Sequence, residues 1–208
     1  MNREAALAAN ERVLSRYLPK GTARLIAYWV VEFRVKFKIT RPRDTKLGDY
    51  RPAGQGRPHT ITVNGNLNPY SFLITTVHEF AHLGCHLKHG HTVAPHGAEW
   101  KGIYVAMLRN FLGTGTFPPD LEVDIKRHLD NPKASSCSCA ILSAALARYD
   151  SKPGVLLQDF TLQTPFAFNG EVYEALEKRR TRYLCKRLAD GKRYLISGRA
   201  KVEPVQGR

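Results

Sequence analysis

The sequence predicts an α+β protein: a mostly helical core with a small antiparallel sheet, followed by a small C-terminal β appendage. Three observations carry this. Apolar residues keep a helical period in five stretches between position 4 and Leu129. Between the second and third of these, Arg34–Thr40 and His59–Asn64 read as strands. Beyond position 155 the pattern changes to short strand-like runs holding Phe160, Phe166, Phe168, Tyr173, Tyr183, Tyr194 and Ile196. The expected organisation is a domain over residues 1–132, a linker over 133–154 and a small basic β-rich domain over 155–208.

The first helix spans residues 4–18 with Leu7, Val13, Leu14 and Leu18 on one side. Pro19-Lys20-Gly21 breaks it, and Thr22 is placed to cap a second helix carrying Leu25, Ile26, Trp29 and Val30. Arg34, Lys36 and Lys38 then alternate with Val35, Phe37 and Ile39, the mark of a half-buried strand. A Gly/Pro-rich connector, Arg51–Pro58, leads to the strand His59–Asn64 and a turn at Asn64-Gly65. That strand precedes the third helix and is placed to wall a cleft where an extended peptide adds main-chain hydrogen bonds.

Asn68 and Pro69 supply an N-cap and a first-turn proline for a helix running to about Lys88, with Leu73, Val77, Phe80, Ala81 and Leu87 in period. A fourth helix covers Ala98–Leu112 with a stripe of Ile103, Tyr104, Met107, Leu108 and Phe111, and Gly113 and Gly115 end it. Pro118-Pro119-Asp120 opens a fifth, which closes on Lys126, Arg127 and His128 and so matches the helix dipole. Lys133–Cys139 is small and polar, as a linker would be. Asp190-Gly191 is a hairpin turn between Arg182–Leu188 and Lys192–Ser197.

With 43% hydrophobic and 24% charged residues the composition is that of a soluble globular protein. No apolar run reaches the length of a membrane span, and the first residues lack a signal-peptide pattern. Cys85, Cys137, Cys139 and Cys185 do not space like a disulfide framework, so the expected location is a reducing cytoplasm. Lys and Arg number 32 against 18 Asp and Glu, a net charge of +14. Eight basic and two acidic residues fall between 34 and 57, the densest basic region near the third helix. A polyanion is the natural partner for such a chain, because Lys and Arg supply most non-specific nucleic-acid affinity by neutralising phosphates.

The third helix carries His78-Glu79-Phe80-Ala81-His82. Two histidines four apart lie one above the other on one helix face, so both imidazoles can reach one divalent ion. Glu79, one step around the helix, can reach a water there and act as general base. A catalytic zinc needs a third protein ligand, and His86, His89, His91, His96 and Glu99 follow. The HExxHxxGxxH pattern fails, because Cys85 and Lys88 stand where it needs glycine and histidine. His86 and His89 share the helix with the pair and drift beyond the metal. His96 follows the turn-rich stretch Gly90–Pro95 and suits an approach from the side, with Glu99 as the alternative. A second metal on His86, His89 and His91 is the less favoured reading of those residues. Tyr50 and Tyr70 are both available to steady an oxyanion, and spacing selects neither.

HEFAH, a short histidine-rich turn and then His96-Gly97-Ala98-Glu99-Trp100 resemble the SprT-like family of zinc metallopeptidases, which includes DNA–protein crosslink proteases. Lys46-Leu47-Gly48-Asp49-Tyr50-Arg51, preceded by Thr45 and followed by His59–Asn64, is similar to the strand region that family places before its active helix. The resemblance covers roughly residues 13–112. It implies a zincin-like metallopeptidase core, one catalytic Zn2+ held by His78, His82 and His96, and Glu79 as catalytic base. It also implies an endopeptidase acting on proteins bound or crosslinked to DNA. The chain departs from many members in lacking a C-terminal zinc ribbon: it offers Cys137, Cys139 and a lone Cys185 without a second pair. The basic hairpin with Arg179, Arg180, Arg182, Lys186, Arg187, Lys192 and Arg193 is placed either to grip nucleic acid or a partner, or to guard a sheet edge. Two alternative functions are a general cytoplasmic peptidase indifferent to DNA, and a nucleic-acid-binding protein whose metal centre is structural or inactive.

Overall fold

Asn68 fixes the start of the longest helix, and the first of two folding units is built around that helix. The computed structural model describes residues 2–43, 46–130, 140–150, 155–198 and 200–205. Its two units are Met1–Ser151 and Lys152–Arg208, each with a separate apolar core. Among the described residues it contains six helices and two sheets, a mixed α+β architecture.

In the first unit α1 spans Arg3–Leu14, α2 Ala23–Glu32, β1 Lys36–Thr40, β2 Gly48–Arg51, β3 Thr60–Asn64, α3 Pro69–His89, α4 Ala98–Arg109, α5 Pro119–Asp130 and α6 Ala140–Ala147. α1 ends four residues earlier than its period predicts. Leu7, Leu14 and Leu18 are buried but Val13 is exposed, so the apolar side is narrower than expected. Thr22 does not cap α2 with its side chain; its hydroxyl donates to the Pro19 carbonyl instead.

α3 matches its predicted span closely because both ends are specified. The Asn68 side-chain oxygen accepts from the Ser71 backbone N–H at 2.9 Å, and Pro69 occupies the first turn. Gly90, at φ 61°, ends the helix in a conformation that favours glycine. Phe72, Leu73, Ile74, Val77, Phe80 and Ala81 are essentially inaccessible, whereas Leu87 is exposed. Burying each of the two phenylalanines contributes on the order of 2–3 kcal/mol. Phe37 of β1 packs between them, with ring centroids 6.5 Å from Phe72 and 6.3 Å from Phe80.

The first sheet is mixed, which corrects the expected antiparallel arrangement. β2 turns back on β3 in antiparallel register, while β1 lies on the other side of β3 and runs parallel to it. β3 is therefore the central strand, with both of its edges paired. The strand placed from sequence as a cleft wall cannot accept a further strand; β2 holds the edge position next to α3.

Part of the expected linker, 133–154, is helical. α6 packs against α5, with Leu142, Ala145 and Leu146 in the core of the first unit. Tyr149 donates to Asp120 at 2.6 Å, and Arg148 bridges Asp120 and Asp124. Asn68 joins this arrangement, since its amide donates to the Leu146 carbonyl at 2.9 Å and to Asp150 at 2.7 Å. One buried side chain thus caps α3 and ties α6 to it. Asn68→Ala is expected to lower stability by about 1–2 kcal/mol, the cost of losing such a cap, measured by denaturant unfolding. An unchanged midpoint would show that neither the cap nor the tie matters.

The second unit is a six-stranded antiparallel sheet: β4 Val155–Leu156, β5 Pro165–Phe168, β6 Glu171–Arg179, β7 Arg182–Arg187, β8 Arg193–Ser197 and β9 Lys201–Pro204, ordered β4-β9-β5-β6-β7-β8. Leu157, Phe166, Tyr173, Ala175, Tyr183, Cys185, Ile196 and Val202 form its core. The β7–β8 hairpin turns at Asp190-Gly191 as expected; Gly191 has φ 72°, and Asp190 accepts from Arg187 and from the Lys192 backbone N–H. Cys185 is buried, while Cys137 and Cys139 lie outside the described residues. No described helix is long and apolar enough to cross a membrane.

Candidate metal centre

The helical spacing of His78 and His82 brings their Nε2 atoms to 3.1 Å of one another. His96 adds a third Nε2 at 3.3 Å from that of His78. Four tetrahedral nitrogens, each 2.0–2.1 Å from a zinc ion, stand about 3.3–3.4 Å apart. The two observed separations therefore fit imidazoles arranged around one ion. Among the described residues this is the sole group of three or more His, Cys, Asp or Glu able to hold a metal.

His96 arrives there through its backbone. It sits at φ 58°, a left-handed conformation uncommon outside glycine, immediately before Gly97 at the N-cap of α4. The chain thereby reverses and α4 lies along α3. Trp100, one turn into α4, is buried with its ring centroid 4.7 Å from those of His78 and His96 and 5.3 Å from that of His82. Tyr104 stacks on the indole at 5.0 Å and also meets His78, ring centroids 5.9 Å apart. Trp100, outside the apolar stripe read from α4, thus walls all three imidazoles, and the stripe's Tyr104 reaches only His78 of the three.

Burial keeps these imidazoles neutral, the form that ligates. It pushes His78 down to about 3 and His82 down to about 4, with neighbouring histidines adding to both shifts, and it also lowers His96. No acid is among the group.

Glu79 points to the opposite neighbour, β2. Its carboxyl is buried, and burial, reinforced by Asp49, raises its pKa to about 8. Arg43, Lys46 and a hydrogen bond from the Tyr50 backbone N–H act the other way and favour the carboxylate. A dication on the three nitrogens would act in that same direction. β2 can approach this closely because position 48 is glycine. An ideal Cβ there would lie 2.5 Å from Glu79 Oε1, 2.8 Å from its Cγ and 2.8 Å from Thr75 Cγ2.

The remaining candidates separate clearly. Glu99 is exposed on the first turn of α4 and is not in the group. His86 packs its ring near His59, His91 and Tyr50; neither it, His89 nor His91 forms a described second metal group. Tyr50 lies at the site, its ring parallel to that of His82 at 6.5 Å and its hydroxyl 3.0 Å from His59 Nδ1. Nδ1 of His59 also accepts from the Ala53 backbone N–H, so the Tyr50 hydroxyl is the donor. Tyr70 packs elsewhere, against Phe117 and Tyr149. Trp100 and Gly48 are the functional positions that spacing missed. HGAEW holds Trp100 four residues after the α3 pair's third partner, but no periodicity marks which ring an indole will touch.

Compared with known proteins, the chain matches no family model, no curated protein and no solved structure.

Proposed function

We propose that the protein is a zinc-dependent endopeptidase of the SprT-like type, hydrolysing peptide bonds in proteins bound or crosslinked to DNA. The observation that carries this is the convergence of three neutral imidazole nitrogens, two of them from α3, with the buried carboxyl of Glu79 adjacent in sequence to His78. The donor set supports a catalytic centre over a structural one. Structural zinc sites are closed by four protein ligands, and catalytic ones keep three and an open position; three donors are found here among the described residues.

When bound, the ion supplies Lewis-acid polarisation of a carbonyl oxygen and acidifies a water. The chain's own residues do the rest. His78, His82 and His96 present Nε2 lone pairs. Glu79 takes a proton onto its carboxylate from the attacking water and returns it to the departing amine nitrogen. The Tyr50 N–H and the bare Cα of Gly48 hold that carboxylate in place. Trp100 covers the imidazoles and limits water on that side. The net charge of +14 supports the DNA part of the reading.

The test is cleavage of a DNA-binding protein by the zinc-loaded chain, with and without DNA and with and without chelator. Cleavage that needs both zinc and DNA is the expected result. Cleavage indifferent to DNA would reduce the reading to a general peptidase. Zinc bound, DNA bound and no cleavage under any condition would overturn it in favour of a binding protein.

A further inference from the structure

We propose that the outward face of the three-stranded sheet, the side turned away from α3, is a docking surface for the phosphodiester backbone of nucleic acid. The inference rests on the nucleic-acid part of the reading above and is independent of its hydrolytic part.

Strand register defines that face. Residues two apart on a strand share a side. Phe37, Ile61, Val63, Gly48 and Tyr50 point inward, to the core and α3. The opposite positions then fall into rows. Lys36 of β1 is level with Thr60 of β3, which is level with Arg51 of β2; Lys38 is level with Thr62, and Thr62 with Asp49. Arg43 lies across the middle, with Nε donating to the Asn64 side chain at 2.8 Å and Nη1 to Thr62 Oγ1 at 3.0 Å. The outward positions of all three strands are thus cations, hydroxyls, an amide and one acid, with no apolar side chain among them.

Most cations on this face lack an ion-pair partner among the described residues, as do Arg12, Arg16, Lys20, Lys88 and Arg109 elsewhere in the same unit, where other cations are paired. Arg24 pairs with Glu4 and Glu11, Lys126 with Glu122, and Arg148 with Asp120 and Asp124. On the sheet, Lys46 and Arg51 share the single carboxylate of Asp49. Among the described residues, Lys36, Lys38, Arg41, Arg43 and Arg57 have no carboxylate within ion-pair distance; Asp44 lies outside those residues. Lys36, Lys38 and Arg51 are exposed.

Lysines on an edge strand commonly serve only to block edge-to-edge pairing, and β1 is an edge. That role extends to Arg51, since β2 is the other edge, and Arg43 is held by Asn64 and Thr62 with its Nη2 buried. Edge protection does not require, however, that cations of both edges stand level with hydroxyls of the central strand on one face. A cationic face three strands wide, lined with hydroxyls, is instead what a phosphate backbone recognises by charge and hydrogen bonding. The same strand, β2, presents Arg51 outward and Gly48 and Tyr50 inward to Glu79. A nucleic acid seated here would lie one strand's thickness from the candidate centre.

The test is fluorescence anisotropy of a labelled oligonucleotide, single-stranded and duplex, across a salt series with the full chain. The triple variant Lys36→Gln, Lys38→Gln, Arg51→Gln is expected to bind at least about tenfold more weakly at low salt. Its slope of log affinity against log salt should fall by about 2–3, the share of three phosphate contacts. Circular dichroism confirms folding, and Lys36→Arg with Lys38→Arg should bind as wild type. A control triple, Arg182→Gln, Lys186→Gln and Arg193→Gln, removes equal charge from the second unit. Equal losses in both triples would show binding by net charge alone and overturn the proposal. Displacement by polyglutamate as effectively as by unlabelled DNA would overturn it in favour of an acidic polypeptide. Wild type that binds no DNA would remove this surface and the nucleic-acid reading together, whereas binding without proteolysis would remove the hydrolytic reading alone.

Discussion

Glu79→Gln is expected to reduce peptide hydrolysis by about 10³-fold, within the range that a positioned general base contributes, while leaving zinc content unchanged. Gln is nearly isosteric, so it fits beside Gly48 and Thr75 where Glu79 now sits. It cannot take a proton from water, and the three imidazoles are untouched. The same variant makes a second, independent prediction for the metal-free protein. Burial raises the Glu79 carboxyl from its ordinary 4.5 to about 8. Between those values the unfolded chain is ionised and the folded chain still holds its proton. Stability from this group is therefore full below about pH 4.5 and is lost as pH rises towards about 8. The lowered imidazoles contribute the opposite slope at lower pH, being neutral when folded and charged when unfolded. Subtracting the denaturation profile of Glu79→Gln from that of wild type cancels the histidines and isolates the carboxyl. Full activity in the variant, or a flat difference profile, would remove Glu79 from the proposed role.

How much of this was legible in the sequence depends on how far apart the partners lie. His78 and His82 are four apart, and helical geometry alone brings their nitrogens together. The α3 boundaries were legible because Asn68, Pro69 and Gly90 each act locally. His96 was readable as the favoured candidate, since it follows a turn, but its left-handed backbone is what aims it; Glu99 was the alternative, and the fold leaves it exposed. Gly48 lies 31 positions before Glu79 and belongs to a strand no longer than four residues. Nothing periodic marks it, and only tertiary packing reveals why a side chain is missing there. The parallel pairing of β1 with β3 was hidden for a related reason: alternation reports which face is buried and says nothing of strand direction. α6 was obscured by its neighbours. Ala140–Ala147 has strong helix formers in Ala and Leu, but it follows the small polar stretch Lys133–Cys139 and carries no amphipathic contrast of its own.

Gly48→Ala is expected to separate metal binding from catalysis. The added methyl carbon would start 2.5 Å from Glu79 Oε1 and 2.8 Å from both Glu79 Cγ and Thr75 Cγ2. The carboxylate tip can swing, but Cγ and the β-branched Thr75 are fixed by α3 and cannot yield cheaply. Either β2 lifts from the helix or Glu79 turns away from the Tyr50 N–H that holds it. Overpacking of this kind costs about 1–3 kcal/mol of stability. A displacement of about 1 Å at a catalytic group costs on the order of 10²-fold in rate, so kcat should fall by about that factor. Zinc stoichiometry should stay at the wild-type level, because no ligand comes from β2. Gly54→Ala is the matched control, since a Cβ at that position meets nothing within 4 Å. If Gly48→Ala kept wild-type kcat and melting temperature, β2 could not be the strand that holds Glu79. If it lost zinc together with activity, the strand would be supporting the imidazoles through the Tyr50 ring against His82, and Glu79 would need another means of orientation.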